Sequence, residues 1–110
     1  MERRRFARIG VNMRVRLRSA EELAGMMEGA TEDMSLGGVF IRTGEVRPVG
    51  TRVEIELPAP GGEVVLLSGW VRCIRYAAGR PLGMGIEFDE LAEPARSLVR
   101  EVLESAQKRK

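Results

Sequence analysis

The sequence predicts a mostly β fold: a small six-stranded antiparallel barrel followed by a C-terminal amphipathic helix. Three observations lead to this prediction. Short segments in which apolar and polar residues alternate recur between residues 12 and 88, as expected for strands with one buried face. Turns rich in glycine and proline separate these segments. From residue 90 onward, the apolar spacing changes to that of a helix.

The first half of the chain is expected to supply three strands. Residues 12–18 alternate strictly between apolar and polar side chains, which predicts a half-buried strand. A second strand is expected around residues 26–32 and a third at residues 39–43. Residues 33–38, which lie between them, are polar and contain glycine, so they are predicted to form a tight turn.

The second half is expected to complete the barrel. Residues 51–57 alternate again, and residues 58–62 are predicted to be a hairpin connection. Residues 63–76 are expected to form one long strand or a bent pair, with Gly69 as a candidate bulge or corner. The last strand covers residues 82–88, where two glycines indicate that another backbone passes close by.

The helix is expected over residues 91–107, where seven apolar positions share one face. These positions are Leu91, Ala95, Leu98, Val99, Val102, Leu103 and Ala106. A chain of 110 residues can bury one core but not two, so residues 1–110 are predicted to be a single domain. Residues 1–9 are expected to be a flexible basic arm ahead of the barrel, which spans residues 12–88.

The positive charge of the chain is concentrated at the N-terminus. Residues 1–18 contain seven arginines and one glutamate, a net charge of +6. The rest of the chain has eleven basic and fifteen acidic side chains, a net charge of −4. The surface that would attract an anionic partner is therefore local, and it lies at the start of the chain.

The composition excludes several classes of site. The sequence contains no histidine, so zinc has too few ligands and neither a Ser-His nor a Cys-His pair can form. We therefore expect no enzymatic activity, no metal and no cofactor. The single cysteine, Cys73, excludes an internal disulfide and is expected to be a small buried hydrophobe.

The composition also bears on location. No apolar run approaches the roughly 18–20 residues that span a bilayer. The basic N-terminus is not followed by the apolar stretch of a secretory signal. We therefore expect a cytoplasmic protein without a membrane span.

Two motifs identify a family. The spacing Arg4-x-x-x-Arg8, followed by Asp33-x-Ser35-x-x-Gly38, resembles the two-part signature of the PilZ domain, a bacterial receptor domain for the second messenger cyclic di-GMP. The resemblance covers the whole chain, including the strand count, the closing strand at residues 83–88 and the C-terminal helix. It implies a stand-alone PilZ split barrel that binds cyclic di-GMP and catalyses nothing.

The arginines suit this ligand chemically. A guanidinium fork pairs with two phosphate oxygens or with guanine O6 and N7, and its flat face stacks on purines. Ordering a six-residue arm costs on the order of 6–12 kcal/mol, whereas a charged hydrogen bond returns about 1.5–3 kcal/mol. Arg3 or Arg5 is therefore expected to join Arg4 and Arg8, and the arm is expected to wrap around the bound ligand.

The turn is expected to supply the complementary groups. Asp33 can accept hydrogen bonds from guanine N1–H and N2–H₂, and Ser35 adds a short donor or acceptor. Gly37 and Gly38 are expected to permit positive φ angles and a close approach of the ligand to the main chain. As the resemblance implies, a basic residue just before the first motif, here Arg3, favours two intercalated ligand molecules.

Other interpretations remain open from the sequence. The arm can be a solvated tail, and residues 33–38 can be a turn that satisfies only local backbone groups. The chain can also be a PilZ-type interaction module for motility or secretion machinery that does not bind nucleotide. The 5% aromatic content disfavours nucleic acid as a partner. Trp70 and Tyr76 are expected to pack in a strand, with Tyr76 an alternative stacking partner for guanine. An unknown downstream protein is expected to sense the surface that the ordered arm forms.

Overall fold

The computed structural model describes residues 7–22 and 25–108. Within them, seven strands precede one helix: β1 (Ile9–Gly10), β2 (Arg14–Ser19), β3 (Met27–Ser35), β4 (Gly38–Arg42), β5 (Arg52–Pro58), β6 (Val64–Ala77), β7 (Arg80–Phe88) and α1 (Ala95–Lys108). The helix of the described residues is too short and too polar to cross a membrane.

Strands β2 to β7 form a closed antiparallel barrel. The strand order is β1-β3-β2-β5-β6-β7-β4, and β3 also pairs with β4, which closes the sheet on itself. The short strand β1 lies outside this ring and pairs with β3 only. The predicted six-stranded antiparallel barrel with a C-terminal helix is therefore confirmed.

Alternation along the strands places one face of each strand in a common core. Leu17, Ile55 and Met84 have side chains that are essentially inaccessible to solvent. The apolar face of α1 covers the barrel through Val99 and Val102, both buried. Complete burial of an aliphatic side chain contributes about 1.5–3 kcal/mol, so this shared core is the principal source of stability.

The helix begins four residues later than predicted, at Ala95 rather than at residue 91. Pro94 immediately precedes this start. A proline has no N–H to donate and is tolerated at the start of a helix but not in its interior, which explains why the helix does not extend back to residue 91. Glu93 caps this end: its carboxylate accepts hydrogen bonds from the Ser97 N–H at 3.1 Å and from the Ser97 hydroxyl at 2.6 Å. These hydrogen bonds lower the pKa of Glu93 below its ordinary value.

The N-terminal boundaries differ from those predicted. Ile9 and Gly10 pair with Met34 and Asp33, so the end of the expected arm belongs to the sheet. The first barrel strand begins at Arg14, two residues later than predicted from the alternation. Alternation does not reveal β1, because two residues are too few to show a period.

Glycines in the later strands allow close backbone approach. A β-carbon at Gly83 would collide with the carbonyl oxygen of Ile41, which confirms the prediction that a second backbone passes close to the last strand. Of the two alternatives for Gly69, a bulge or a corner, the bulge is wrong, because Gly69 and Trp70 pair in register with Phe88 and Glu87. A β-carbon at Gly69 would collide with the Glu87 carbonyl oxygen, so Gly69 permits close packing of β6 and β7. The irregularities of β6 lie instead between Val71 and Cys73 and between residues 75 and 76.

Candidate ligand-binding site

A β-bulge in β3 exposes the acidic part of the site. Thr31 pairs with Ile41 and Asp33 with Phe40, so Glu32 is an extra residue on β3. A bulge re-aims the side chains around it. Thr31 is therefore buried, while Glu32 is exposed and Asp33 half-buried.

The turn is shorter than predicted. Asp33 and Ser35 belong to strand β3 and not to the turn in which the sequence placed them. The turn itself consists of residues 36 and 37. Asp33 is consequently fixed on both sides by sheet pairing, with Gly10 on one side and Phe40 on the other.

Arg8 and Asp33 are in direct contact. Arg8 Nε donates to Asp33 Oδ1 at 2.8 Å, and Arg8 Nη2 donates to the same oxygen. The pairing of β1 with β3 fixes this contact, because Ile9 lies opposite Met34 and Arg8 is the preceding residue. The side chains are 26% and 29% exposed, so the pair remains accessible to a ligand. Such partly exposed ion pairs contribute about 0–1 kcal/mol and can be exchanged.

Ser35, the last residue of β3, forms a hydrogen bond to the turn that follows it. It is 3% exposed, and its Oγ accepts a hydrogen bond from the Gly37 N–H at 3.0 Å. This bond satisfies a backbone donor at the point where β3 turns into β4. Among the described residues, this hydrogen bond is local, as expected if residues 33–38 satisfy only nearby backbone groups.

The glycines of the motif do not have the backbone conformation expected of them. The glycines with positive φ in the described residues are Gly50, Gly62 and Gly79, so the expected positive φ at Gly37 and Gly38 is wrong. A β-carbon at Gly38 would collide with the carbonyl oxygen of Ile86. Gly38 is required because β4 and β7 approach each other closely there.

A second ion pair lies beside the first and was missed from the sequence. Arg75 Nη1 donates to Glu32 Oε2 at 3.0 Å. The guanidinium carbon of Arg75 lies 3.9 Å from the centroid of the Phe40 ring. Phe40 is only 3% exposed although it does not belong to the core cluster, because Arg75 covers it on the outer face of the barrel.

One signal in the sequence could have indicated this cluster. Val39, Phe40 and Ile41 are consecutive large apolar residues in one strand. Alternation sends Val39 and Ile41 to the core, so Phe40 must point outward. A large apolar side chain on the outer face is expected to be shielded from solvent by another side chain. Nothing in the sequence identifies Arg75, 35 positions later, as that residue.

Three other residues can now be placed. Cys73 is exposed, so the prediction that it is buried is wrong. The irregularity between Val71 and Cys73 explains this, because it shifts the alternation and leaves Ile74 partly buried instead. Trp70 packs with Arg52, whose guanidinium carbon lies 5.0 Å from its ring centroid. Tyr76 is 59% exposed.

The structure brings together only part of the predicted set. Arg8 contacts Asp33, and Ser35, Gly37 and Gly38 follow directly along the chain. The other three arginines, Arg3, Arg4 and Arg5, lie outside the described residues. Within residues 7–22 and 25–108, no group of acidic or cysteine side chains could hold a metal ion.

A cavity of about 500 Å³ lies between the second half of α1, residues 10–13 and the loop at residues 58–60, and none of the candidate site residues lines it. The Arg8–Asp33 pair lies elsewhere on the barrel, where both side chains are partly exposed.

Comparison with known families gives one match. The PilZ domain model matches residues 2–105, which is nearly the whole chain. No curated protein sequence matches the chain significantly.

Solved structures show the same fold at low sequence identity. The PilZ domain of YcgR from Escherichia coli, solved with c-di-GMP, has a TM-score of 0.77 and 16% identity, with 98% of this chain and 94% of that chain covered. The PilZ domain of CeSA from a cellulose-synthesizing bacterium has a TM-score of 0.68 and 22% identity, with 92% and 98% covered. The Bacillus subtilis inhibitor of motility MotI/DgrA has a TM-score of 0.72 and 17% identity. The match covers 99% of this chain and 51% of that longer protein.

Proposed function

This chain belongs to the PilZ domain family, and we propose that it is a cytoplasmic receptor for cyclic di-GMP without catalytic activity. The contact between Arg8 and Asp33 carries this proposal. Arg8 is the last residue of the first motif and Asp33 the first residue of the second, although 25 positions separate them. The two motifs therefore form one site. The solved complex of a PilZ domain with c-di-GMP supports the choice of ligand.

The two residues have complementary roles. The Arg8 guanidinium pairs with a phosphate or with guanine O6 and N7. The Asp33 carboxylate accepts from guanine N1–H and N2–H₂, which no arginine can do. Because the two side chains now satisfy each other, the ligand exchanges one weak ion pair for several charged hydrogen bonds.

Charge balance assigns a role to the arm. Around the site, the positive charges of Arg8 and Arg75 are matched by the negative charges of Asp33 and Glu32. A ligand with two phosphates brings two further negative charges. We therefore propose that Arg4, together with Arg3 or Arg5, neutralises them, and that one or two intercalated ligand molecules bind.

Calorimetric titration of the purified chain tests the proposal. Cyclic di-GMP should bind with a Kd in the micromolar range or below, whereas GTP and GMP should bind much more weakly. Arg8→Ala should weaken binding at least about tenfold, since hydrogen bonds to charged groups contribute about 1.5–3 kcal/mol. Arg14→Ala is the matched control, because Arg14 also forms a surface ion pair, with Glu28 at 3.6 Å on the barrel wall.

A second candidate function is a protein-interaction module that does not bind nucleotide. The observation that favours it is the fold that this chain shares with an inhibitor of motility. Absence of heat and of thermal stabilisation at high ligand concentration would favour this candidate. In the receptor proposal, an unidentified partner protein senses the surface formed when the arm closes over the ligand.

A further inference from the structure

We propose that Arg75 is a further ligand-contacting residue, which presents a planar cation on which one guanine base of the ligand stacks. The inference rests on the proposed function, because it assigns a contact to the same ligand at the same face. It adds a residue that belongs to neither sequence motif and that comes from β6, which is separated from β3 by β7 and β4.

The Arg75 guanidinium already stacks on one aromatic ring, that of Phe40. A separation of 3.9 Å between the Arg75 guanidinium carbon and the Phe40 centroid means that the cation lies on the face of the ring. The guanidinium is planar, so it offers a purine more than the surface that the Phe40 ring contacts. The Arg75 side chain remains 51% exposed, which leaves it accessible to a base.

Two contacts hold the cation in this position. Phe40 lies over the backbone of β7, where Gly83 has no side chain: a β-carbon there would lie 2.9 Å from Phe40 Cε2. Glu32 fixes the other end of the cation through its 3.0 Å hydrogen bond with Arg75 Nη1. A side chain that is already ordered loses less conformational entropy when a ligand binds.

The cation lies beside the Arg8–Asp33 pair. Asp33 is the direct cross-strand partner of Phe40, and such partners have α-carbons about 4.5–5.5 Å apart. Glu32, which contacts Arg75, is the chain neighbour of Asp33. A ligand with two purine bases can therefore reach both places: one base at the Asp33 carboxylate and the other on Arg75.

A competing explanation is that Arg75 only positions the bulge. In that case Arg75 would hold Glu32, and through it Asp33, without contacting the ligand. The two explanations differ in what they predict for Glu32. If Arg75 contacts the ligand, loss of the Glu32 charge leaves the stacking surface intact and removes a negative charge near the phosphates.

Titration of cyclic di-GMP into four variants of the full chain distinguishes them. Arg75→Ala should weaken binding at least about tenfold, because stacking of a base contributes substantially to affinity. Arg75→Lys should weaken it by a smaller factor, since the charge remains but the planar face is lost. Glu32→Gln should bind as tightly as the wild type or more tightly, because the glutamine carbonyl oxygen can still accept from Arg75 while the negative charge is lost. Arg72→Ala is the matched control and should bind unchanged, because Arg72 is on the same strand and pairs with Glu87 at 2.6 Å.

Each other outcome overturns the inference. Equal losses in Arg75→Ala and Glu32→Gln would make Arg75 a positioning residue only. An unchanged affinity in Arg75→Ala would remove it from the site, and an equal loss in Arg72→Ala would mean that only net charge matters. Should Arg75→Ala unfold, Arg75→Lys retains an aliphatic cover for Phe40 and decides the question. Failure of the wild type to bind would instead overturn the proposed function and this inference with it.

Discussion

Gly38 lies directly against the carbonyl oxygen of Ile86, so closely that a β-carbon could not be accommodated. The two residues belong to β4 and β7, which pair along their length. The final glycine of the Asp-x-Ser-x-x-Gly motif is thus needed to close the barrel. Its place next to the candidate site does not by itself make it a ligand residue.

Gly38→Ala is therefore expected to lower the free energy of unfolding by about 1–3 kcal/mol, as overpacking does in other cores. The collision is with backbone, so no flexible side chain can move aside. Urea denaturation measures the change. Gly44→Ala is the control, because nothing lies within 4 Å of a β-carbon at that position. A Gly38→Ala variant as stable as the Gly44→Ala variant would contradict this role.

The sequence predicted which residues are buried in the core but not the structural role of Gly37 and Gly38. Alternation predicted strands β2 to β7, and helical spacing predicted the apolar face of α1 from Ala95 onward, because the burial of one face per element imposes a period on the residues. The sequence did not indicate why the motif contains Gly37 and Gly38. Positive φ and close packing both select glycine, and only the position of the neighbouring strand distinguishes them.

Thr31 connects the site to the rest of the barrel. Its hydroxyl donates to the Val11 carbonyl oxygen and accepts from the Met13 N–H at 3.0 Å, and the residue is fully buried. Thr31→Val retains the shape but leaves these backbone groups unsatisfied. We expect a loss of about 1–3 kcal/mol in the free energy of unfolding.

The same substitution at Thr43 provides the comparison for Thr31→Val. Thr43 Oγ1 accepts from the Glu45 N–H at 3.0 Å, but in an exposed loop where water can replace the bond. Thr43→Val should change stability by less than about 0.5 kcal/mol. If the two variants lost equal stability in urea denaturation, the buried hydrogen bonds between Thr31 of β3 and residues 11–13, which join β1 to β2, would have no special role.

The Arg8–Asp33 pair is expected to be a functional contact with little effect on stability. A double-mutant cycle of Arg8→Ala and Asp33→Ala, measured by denaturation without ligand, should give a coupling of about 0–1 kcal/mol. Partial exposure of both side chains is the reason, since water screens the pair. A coupling above about 2 kcal/mol would mean that the ion pair holds β1 to the barrel and is not readily exchanged for a ligand.

The sequence indicates Arg8 and Asp33 as candidate site residues but does not indicate Arg75. Arg8 and Asp33 were identified because they occur in motifs with fixed spacing. Arg75 was not, because it reaches Glu32 only through the strand order β6-β7-β4-β3, which a local pattern does not encode. The exposure of Cys73 was missed for a related reason: an irregularity in β6 interrupts the alternation from which burial was predicted.

Cys73 offers a probe of ligand binding at this face. It is exposed and lies opposite Gly85, the cross-strand partner of Phe40. A thiol reagent such as DTNB should therefore react with Cys73 in the folded protein. Saturating cyclic di-GMP should slow that reaction several-fold, because a base stacked on Arg75, two residues further along β6, covers the approach to the thiol. Equal rates with and without bound ligand, in a protein that calorimetry shows to be saturated, would place the ligand away from β6.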